Sequence, residues 1–374
     1  MSELIPAKTP NLGFGNMRMP KLPDGSVDKE TIFKMIDTYM AAGYNYYDTG
    51  YIYPGSEEML RLALVERYPR DSFFITTKVH LGECRKKEDM MKQFRTSCER
   101  LGVDYIDMYF LHGLGESYDE KIEPYGAFDF LRSLRDQGLA KHIGFSFHGK
   151  ADYLDKLLTE NPDIELVQLQ LNYLDWEDGK VQARLNYETA RRHGKMISVM
   201  EPCKGGLLAG VGMEASNLLT DYNPDASIAS WAFRFVAGLD GIYAILSGMS
   251  CLEQVEDNIK TFQNFTPLTE EERALTLKVV EAISNVPGVP CTGCEYCMNA
   301  CPLHMNIPYF MKEYNALQRF RNLEISRHSY KMMIMSVRKA SECIECHNCE
   351  KRCPQHIEIT KYMKELVDKL EVDE

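Results

Sequence analysis

The sequence predicts an α/β chain: a (β/α)8 barrel of the TIM type followed by a small, mostly helical module. Three observations predict it. From the start to about residue 265, short apolar runs alternate with amphipathic stretches, the rhythm of repeated β–α units around a parallel sheet. The apolar runs are nearly continuous, as strands buried on both faces should be. Cysteine, thinly scattered at first, then concentrates into two runs of four in the last ninety residues. With 374 residues, 44% hydrophobic and 26% charged, the chain can bury one large core and a smaller appendage.

The first strand is expected near Leu12–Gly15, followed by a helix over Lys29–Ala42 that stops at Gly43. Strands at Asn45–Asp48 and Phe73–Lys78 flank a helix over Ser56–Arg67. Lys87–Leu101, stopped by Gly102, leads to a strand at Ile106–His112. Ile122–Gln137, stopped by Gly138, leads to His142–Ser146. Ala151–Leu158 precedes Leu166–Leu171, Gly179–His193 precedes Met196–Met200, and Asp225–Val236 precedes Ile242–Leu246. Leu252–Phe262 completes a set of eight strands and eight helices, which fits a closed barrel. An open doubly wound sheet is the competitor, but it would carry Gly-x-Gly-x-x-Gly after its first strand, and only Gly13-Phe14-Gly15 stands there.

The expected domains are a barrel over 1–265, a linking helix over 266–286 with Glu270, Glu271 and Glu272 in its first turn, and a helical module over 287–374. Within the module, Ile307–Phe320 and Ser329–Ala340 have helical apolar spacing. A last segment aligns Met363, Leu366, Val367 and Leu370 on one face.

The module writes one cysteine pattern twice. Cys291, Cys294, Cys297 and Cys301 precede Pro302, and Cys343, Cys346, Cys349 and Cys353 precede Pro354. Three thiolates two residues apart wrap one corner of an iron–sulfur cube, while the fourth, ahead of proline, ligates the other cluster. Two [4Fe–4S] clusters are therefore expected, one on Cys291, Cys294, Cys297 and Cys353, the other on Cys343, Cys346, Cys349 and Cys301. Zinc is the competing metal, but it needs four ligands, usually as two separated pairs, and gives no reason for a third Cys at the same step or for the Cys-Pro ending. The module reads as ferredoxin-like.

Cys84, Cys98, Cys203 and Cys251 show no pairing pattern and read as free thiols of a reducing compartment. The first ten residues lack a basic stretch followed by an apolar run, and no stretch of about eighteen apolar residues occurs. A soluble, cytoplasmic protein with no membrane partner is expected. A net charge of −12 repels phosphate backbones and argues against nucleic acid.

In such a barrel chemistry sits at the carboxyl ends of the strands. Asp48, Tyr53, Lys78 and His112 fall there or just after. Singly, each has an ordinary explanation as a turn cap, a surface cation or a satisfied polar group. Together with Tyr47-Asp48-Thr49-Gly50-Tyr51-Ile52-Tyr53, Gly55-Ser56-Glu57-Glu58, Ile75-Thr76-Thr77-Lys78, Phe110-Leu111-His112 and Ile143-Gly144-Phe145-Ser146, they resemble the aldo-keto reductase superfamily. The resemblance covers roughly the first 265 residues, and the cysteine module points to that superfamily's iron–sulfur branch.

The resemblance implies roles. Tyr53 would protonate a substrate carbonyl as hydride arrives at its carbon, with Lys78 as the cation that makes a phenol of pKa near ~10 useful at neutral pH. Asp48 would hold Lys78 by an ion pair, and His112 would orient the carbonyl. It also implies NADPH or NADH across the barrel mouth. Gly15, Asn16, Met17 and Arg18 match the first-strand loop, Ser146 and Gln168 the carboxamide site, Asp257 and Asn258 the adenine region.

This chain departs from the family in three places. Phe147 and His148 follow Ser146 where the family usually has Asn. Met200 replaces the aromatic under the nicotinamide, with Glu201 replacing the Ser after it. Gln254 replaces a basic residue that reads the adenosine phosphate, which leaves NADH and NADPH equally open. The function implied is reduction of a small-molecule carbonyl or oxidation of its alcohol, with the clusters serving structure or electron exchange with a ferredoxin-like or other redox protein. The alternative is an electron-transfer protein whose barrel binds a partner or a nonstandard redox substrate.

Overall fold

The structure is a computed structural model that describes residues 11–22, 26–335 and 337–371. Residues 1–10, read above for a leader, lie outside it. Two compact units are present, one of Met1–Lys204 with Ser230–Thr269, the other of Gly205–Ala229 with Glu270–Glu374.

The first unit is a closed barrel of eight parallel strands in sequence order: β1 (Leu12–Gly15), β2 (Tyr46–Asp48), β3 (Phe74–Val79), β4 (Ile106–Leu114), β5 (Ala140–Phe147), β6 (Leu166–Gln170), β7 (Met196–Met200) and β8 (Ile242–Ser247). β8 closes on β1 with Leu12 opposite Ile245. Tyr46, Met108, Phe110, Leu166, Tyr243, Ala244 and Leu246 fill the lumen, with the Tyr46 and Tyr243 rings edge to face at 5.6 Å. Gly144 lets β5 approach β6, because a Cβ there would lie 2.4 Å from the Leu166 carbonyl oxygen and 2.7 Å from the Phe110 ring.

The helices outside the barrel follow their caps. Asp28 accepts from the Thr31 backbone N–H at 3.1 Å and starts the helix Lys29–Ala41. Gly102, at φ 70°, ends Glu88–Leu101 by donating its N–H to the Cys98 carbonyl at 2.8 Å. The expected helix 122–137 is two, Asp119–Ile122 and Ala127–Asp136, because Gly126 turns left-handed at φ 62° between them. Ala183–Arg192 starts later than expected, since Asp178 caps a turn by accepting from the Lys180 and Val181 N–H groups at 2.8 Å.

The second unit is helical. Met213–Tyr222 was not anticipated; it packs on Glu270–Ser284 and buries Ala215 and Leu219. Ile307–Phe320, Leu323–Ile334 and Ile359–Leu370 surround a core of Phe310, Met311, Tyr330, Met363 and Leu366. The middle helix begins six residues before the expected Ser329 because Asn322 caps it, accepting from the Ile325 N–H at 3.0 Å. Each cysteine run leads into one short helix, Tyr296–Ala300 and Asn348–Arg352, and these two pack together. No helix among the described residues is long and apolar enough to cross a membrane.

Candidate active site and cluster sites

β2, β3 and β4 bring the four strand-end residues together. Lys78, wholly buried on β3, donates from Nζ to Asp48 Oδ1 on β2 and to the Thr49 carbonyl, both at 2.6 Å. Its ammonium lies 5.3 Å from the centre of the Tyr53 ring. Tyr53 Oη stands 3.3 Å from His112 Nε2, the two rings edge to face at 5.4 Å. Gly50 permits this turn, since a Cβ there would already press on the Tyr53 ring at 3.3 Å.

Three environments set the protonation states. Burial works against the Lys78 ammonium, but Asp48 beside it, together with Tyr53 and Glu57, outweighs burial and holds its pKa above the usual value. Burial pushes the Tyr53 phenol up; Lys78 pulls it down, while Asp48 and Glu201 add to the rise. The net direction is upward, opposite to what the neighbouring cation alone suggests, so Tyr53 stays protonated through neutral pH. Burial, assisted by Lys78, His80 and His148, depresses His112 to about 2, which keeps its imidazole neutral.

The supporting shell was only partly legible. Gln168 Nε2 donates to Asp48 Oδ2 at 3.0 Å across the barrel, so the side chain matched to the carboxamide site is engaged with the ion pair. Glu57, buried on the helix after Tyr53, accepts from Thr77 Oγ1 at 2.6 Å and from Arg100 at 3.2 Å. Arg100 also donates to the Tyr51 carbonyl at 3.0 Å. Glu57 stood within a quoted motif, but nothing local announces an arginine forty-three positions on. His80 completes the wall, its Nε2 3.1 Å from Tyr118 Oη and its ring 5.5 Å from that of His112.

The remaining mouth residues are spread around the rim. Asn16 is buried and donates to the Phe14 and Asp48 carbonyls at 2.9 and 3.1 Å, tying β1 to β2. Met17 is exposed beside Gly15 and Arg18. Ser146 Oγ accepts from the Gly113 N–H at 2.7 Å and keeps its own proton to donate. Asn258 donates to Ser247 Oγ at 2.8 Å, next to Asp257 on the same helix, and Gln254 accepts from the Ser250 N–H at 2.7 Å. Met200 ends β7, and Glu201 after it takes a left-handed φ of 56°.

In the second unit the eight cysteines border two cavities, in the crossed combination. About 330 Å³ of space is lined by Cys291, Cys294, Cys297 and Cys353. About 360 Å³ is lined by Cys301, Cys343, Cys346 and Cys349. Ile307 and Ile359 border both. All twelve cysteines are free of disulfides. Burial raises the Cys297 thiol to about 11, and it feels Cys291, Cys294 and Cys353. Four sulfurs around an apolar hollow suit iron, which would draw off those protons.

Residues 11–281 match the profile of the Aldo/keto reductase family. The chain belongs to that family of oxidoreductases. Residues 290–358 match a 4Fe-4S dicluster domain. Among similar proteins, the aldo-keto reductase str7 of Strobilurus tenacellus is 33% identical over 53% of this chain and 60% of its own length. The match therefore spans less than two thirds of that relative. The NADH-specific methylglyoxal reductase of Escherichia coli is 22% identical over 70% of this chain and 90% of its own. The holo form of an aldo-keto reductase from Bacillus halodurans aligns with a TM-score of 0.59 at 24% identity, covering 73% of this chain and 94% of that one. This last likeness speaks to the barrel fold alone.

Proposed function

We propose that the barrel reduces a small-molecule carbonyl, or oxidises the matching alcohol, with Tyr53 as the general acid. The observation that carries this is the buried set of Thr49 carbonyl, Lys78 and Asp48 beneath a tyrosine whose hydroxyl lies 3.3 Å from His112. Tyr53 enters the reaction protonated. Its proton goes to the carbonyl oxygen as charge develops there, and Lys78 stabilises the phenolate left behind. His112, neutral, orients the carbonyl by a hydrogen bond and brings no second cation. Asp48 and Gln168 keep Lys78 in place.

NADH or NADPH, bound across the mouth, would supply the hydride. Gly15, Asn16, Met17 and Arg18 would hold it on one side, Ser146 and Gln168 at the carboxamide, Met200 under the ring, and Gln254, Asp257 and Asn258 toward the adenine. The Ser146 hydroxyl proton and the open rim at Met17 favour this fit; the Gln168 contact with Asp48 means that its amide would have to serve two partners.

The module over 287–374 would carry two [4Fe–4S] clusters on the crossed cysteine sets, each exchanging single electrons with an outside redox protein. The carbonyl chemistry within 1–265 is complete without them.

The test is carbonyl-dependent oxidation of NADH and NADPH by anaerobically purified protein over a panel of aldehydes and ketones headed by methylglyoxal. Turnover on one class is expected. No turnover on any, from protein holding about eight irons per chain, would overturn the reading.

A further inference from the structure

The two cysteine runs repeat in conformation as well as spacing. The residue after the second cysteine of each is left-handed, Glu295 at φ 65° and His347 at φ 56°, and each starts the short helix. His304 and His356, third after the last cysteine of each run, sit at φ 51° and 52°. Their N–H groups donate to the Cys301 and Cys353 carbonyls at 3.0 and 3.1 Å. Ile307 and Ile359 then repeat a bond to the Met305 and Ile357 carbonyls at 2.9 Å. Positions matched by this repeat occupy equivalent places about the two cavities.

Among the matched residues that line the two cavities, one pair differs in charge, while Glu345, matched to Gly293, and Glu350, matched to Met298, stand outside the second lining. Glu295 borders the cavity of Cys291, Cys294, Cys297 and Cys353, whose described lining holds no Lys, Arg or His. His347 borders the cavity of Cys301, Cys343, Cys346 and Cys349, whose described lining holds no Asp or Glu. Its Nδ1 is held by Glu350 Oε2 at 2.8 Å. The other Glu350 oxygen is taken by the Thr360 N–H and hydroxyl at 2.8 and 2.7 Å, so this carboxylate, outside the lining though its charge reaches Cys349, accepts from three donors.

We propose that this difference in lining orders the two clusters: the one beside Glu295 is the harder to reduce, and the one beside His347 takes the first electron. This rests on the two-cluster reading above. Reduction adds one negative charge to a cluster, which a carboxylate at its rim opposes. An imidazole opposes it less in either protonation state. Ile307 and Ile359 border both cavities, so one electron passes from the site beside Glu295 to the site beside His347 across side chains alone, with no proton and no other reactant.

The test is an anaerobic potentiometric titration of the full iron-loaded chain followed by electron paramagnetic resonance, with iron content measured on every sample. Two reduction waves are expected. Glu295→Gln raises the lower wave and leaves the upper in place; His347→Glu lowers the upper wave toward the lower. If Glu295→Gln loads iron poorly, Glu295→Ser is read in its place. Two waves that neither Glu295 variant moves, or a shift of the upper wave by Glu295→Gln, overturn the ordering alone. A single cluster in iron-replete protein overturns the ordering together with the two-cluster reading.

Discussion

Asp48→Asn isolates the ion pair on which the site is built. The substitution keeps the shape of the side chain and an acceptor 2.6 Å from Lys78 Nζ, deletes the charge, and turns Oδ2, the acceptor of Gln168 Nε2, into a donor. Lys78 is then a wholly buried ammonium with only neutral partners, the Thr49 carbonyl and the new amide. Removing one member of a buried pair costs about 3–5 kcal/mol, which is the loss expected in urea unfolding of the variant at pH 7. The sign of the pH dependence follows from Lys78. In the parent its folded pKa is raised, so the pair stabilises fully below the unfolded value and the contribution fades as pH rises through the folded one. In the variant, burial, already the largest single influence, is opposed only by Tyr53 and Glu57, and the folded pKa is expected to fall below the unfolded value. The deficit is then largest at low and neutral pH and closes as Lys78 loses its proton on alkalinisation. Lys78→Met added to Asp48→Asn should recover part of the loss, because no buried charge remains. A deficit under about 1 kcal/mol at neutral pH, or one that grows with alkalinity, would refute the reasoning.

Gln168→Leu leaves Asp48 Oδ2 without its buried donor, and a loss of about 1–3 kcal/mol is expected in nucleotide-free protein. A variant as stable as the parent that has lost only nucleotide affinity would confine Gln168 to the carboxamide. His112 gives an acid signature. Its folded pKa of about 2 lies below the unfolded ~6.5, so stability is lost as pH falls below that unfolded value, by about 3 kcal/mol at pH ~4.5. His112→Gln should flatten this limb of the urea-midpoint profile, and an unchanged limb would contradict it. The proposed crossed ligation predicts that Cys353→Ser matches Cys291→Ser, and Cys301→Ser matches Cys343→Ser, in the paramagnetic signal of the cluster that survives. Cys353→Ser matching Cys343→Ser would show that each run binds its own cluster.

The barrel was legible because each of its strands is a short apolar run between turn signals, and the bounds of β1 and β7 agree to the residue. What escaped was set by single side chains. The Asn322 cap moved one helix, and Gly126 cut another. Met213–Tyr222 has a weak apolar stripe after a glycine-rich stretch, and its burial depends on Glu270–Ser284, far along the chain. In the site, Tyr53, Lys78, Asp48 and His112 are ordered motifs at strand ends, so position alone brings them together. The direction of the Tyr53 shift was not legible, because it is a contest between burial and one cation. The Glu57–Arg100 and Gln168–Asp48 bonds join distant segments and carry no local pattern.

The most direct measurement is turnover by Tyr53→Phe, with the carbonyl substrate and nucleotide that serve the parent. The ring, its edge contact with His112 and the iron content are kept, and only the hydroxyl is lost. A fall in kcat of about 100-fold or more is expected at unchanged iron and unchanged urea midpoint. Turnover equal to the parent's would contradict the account.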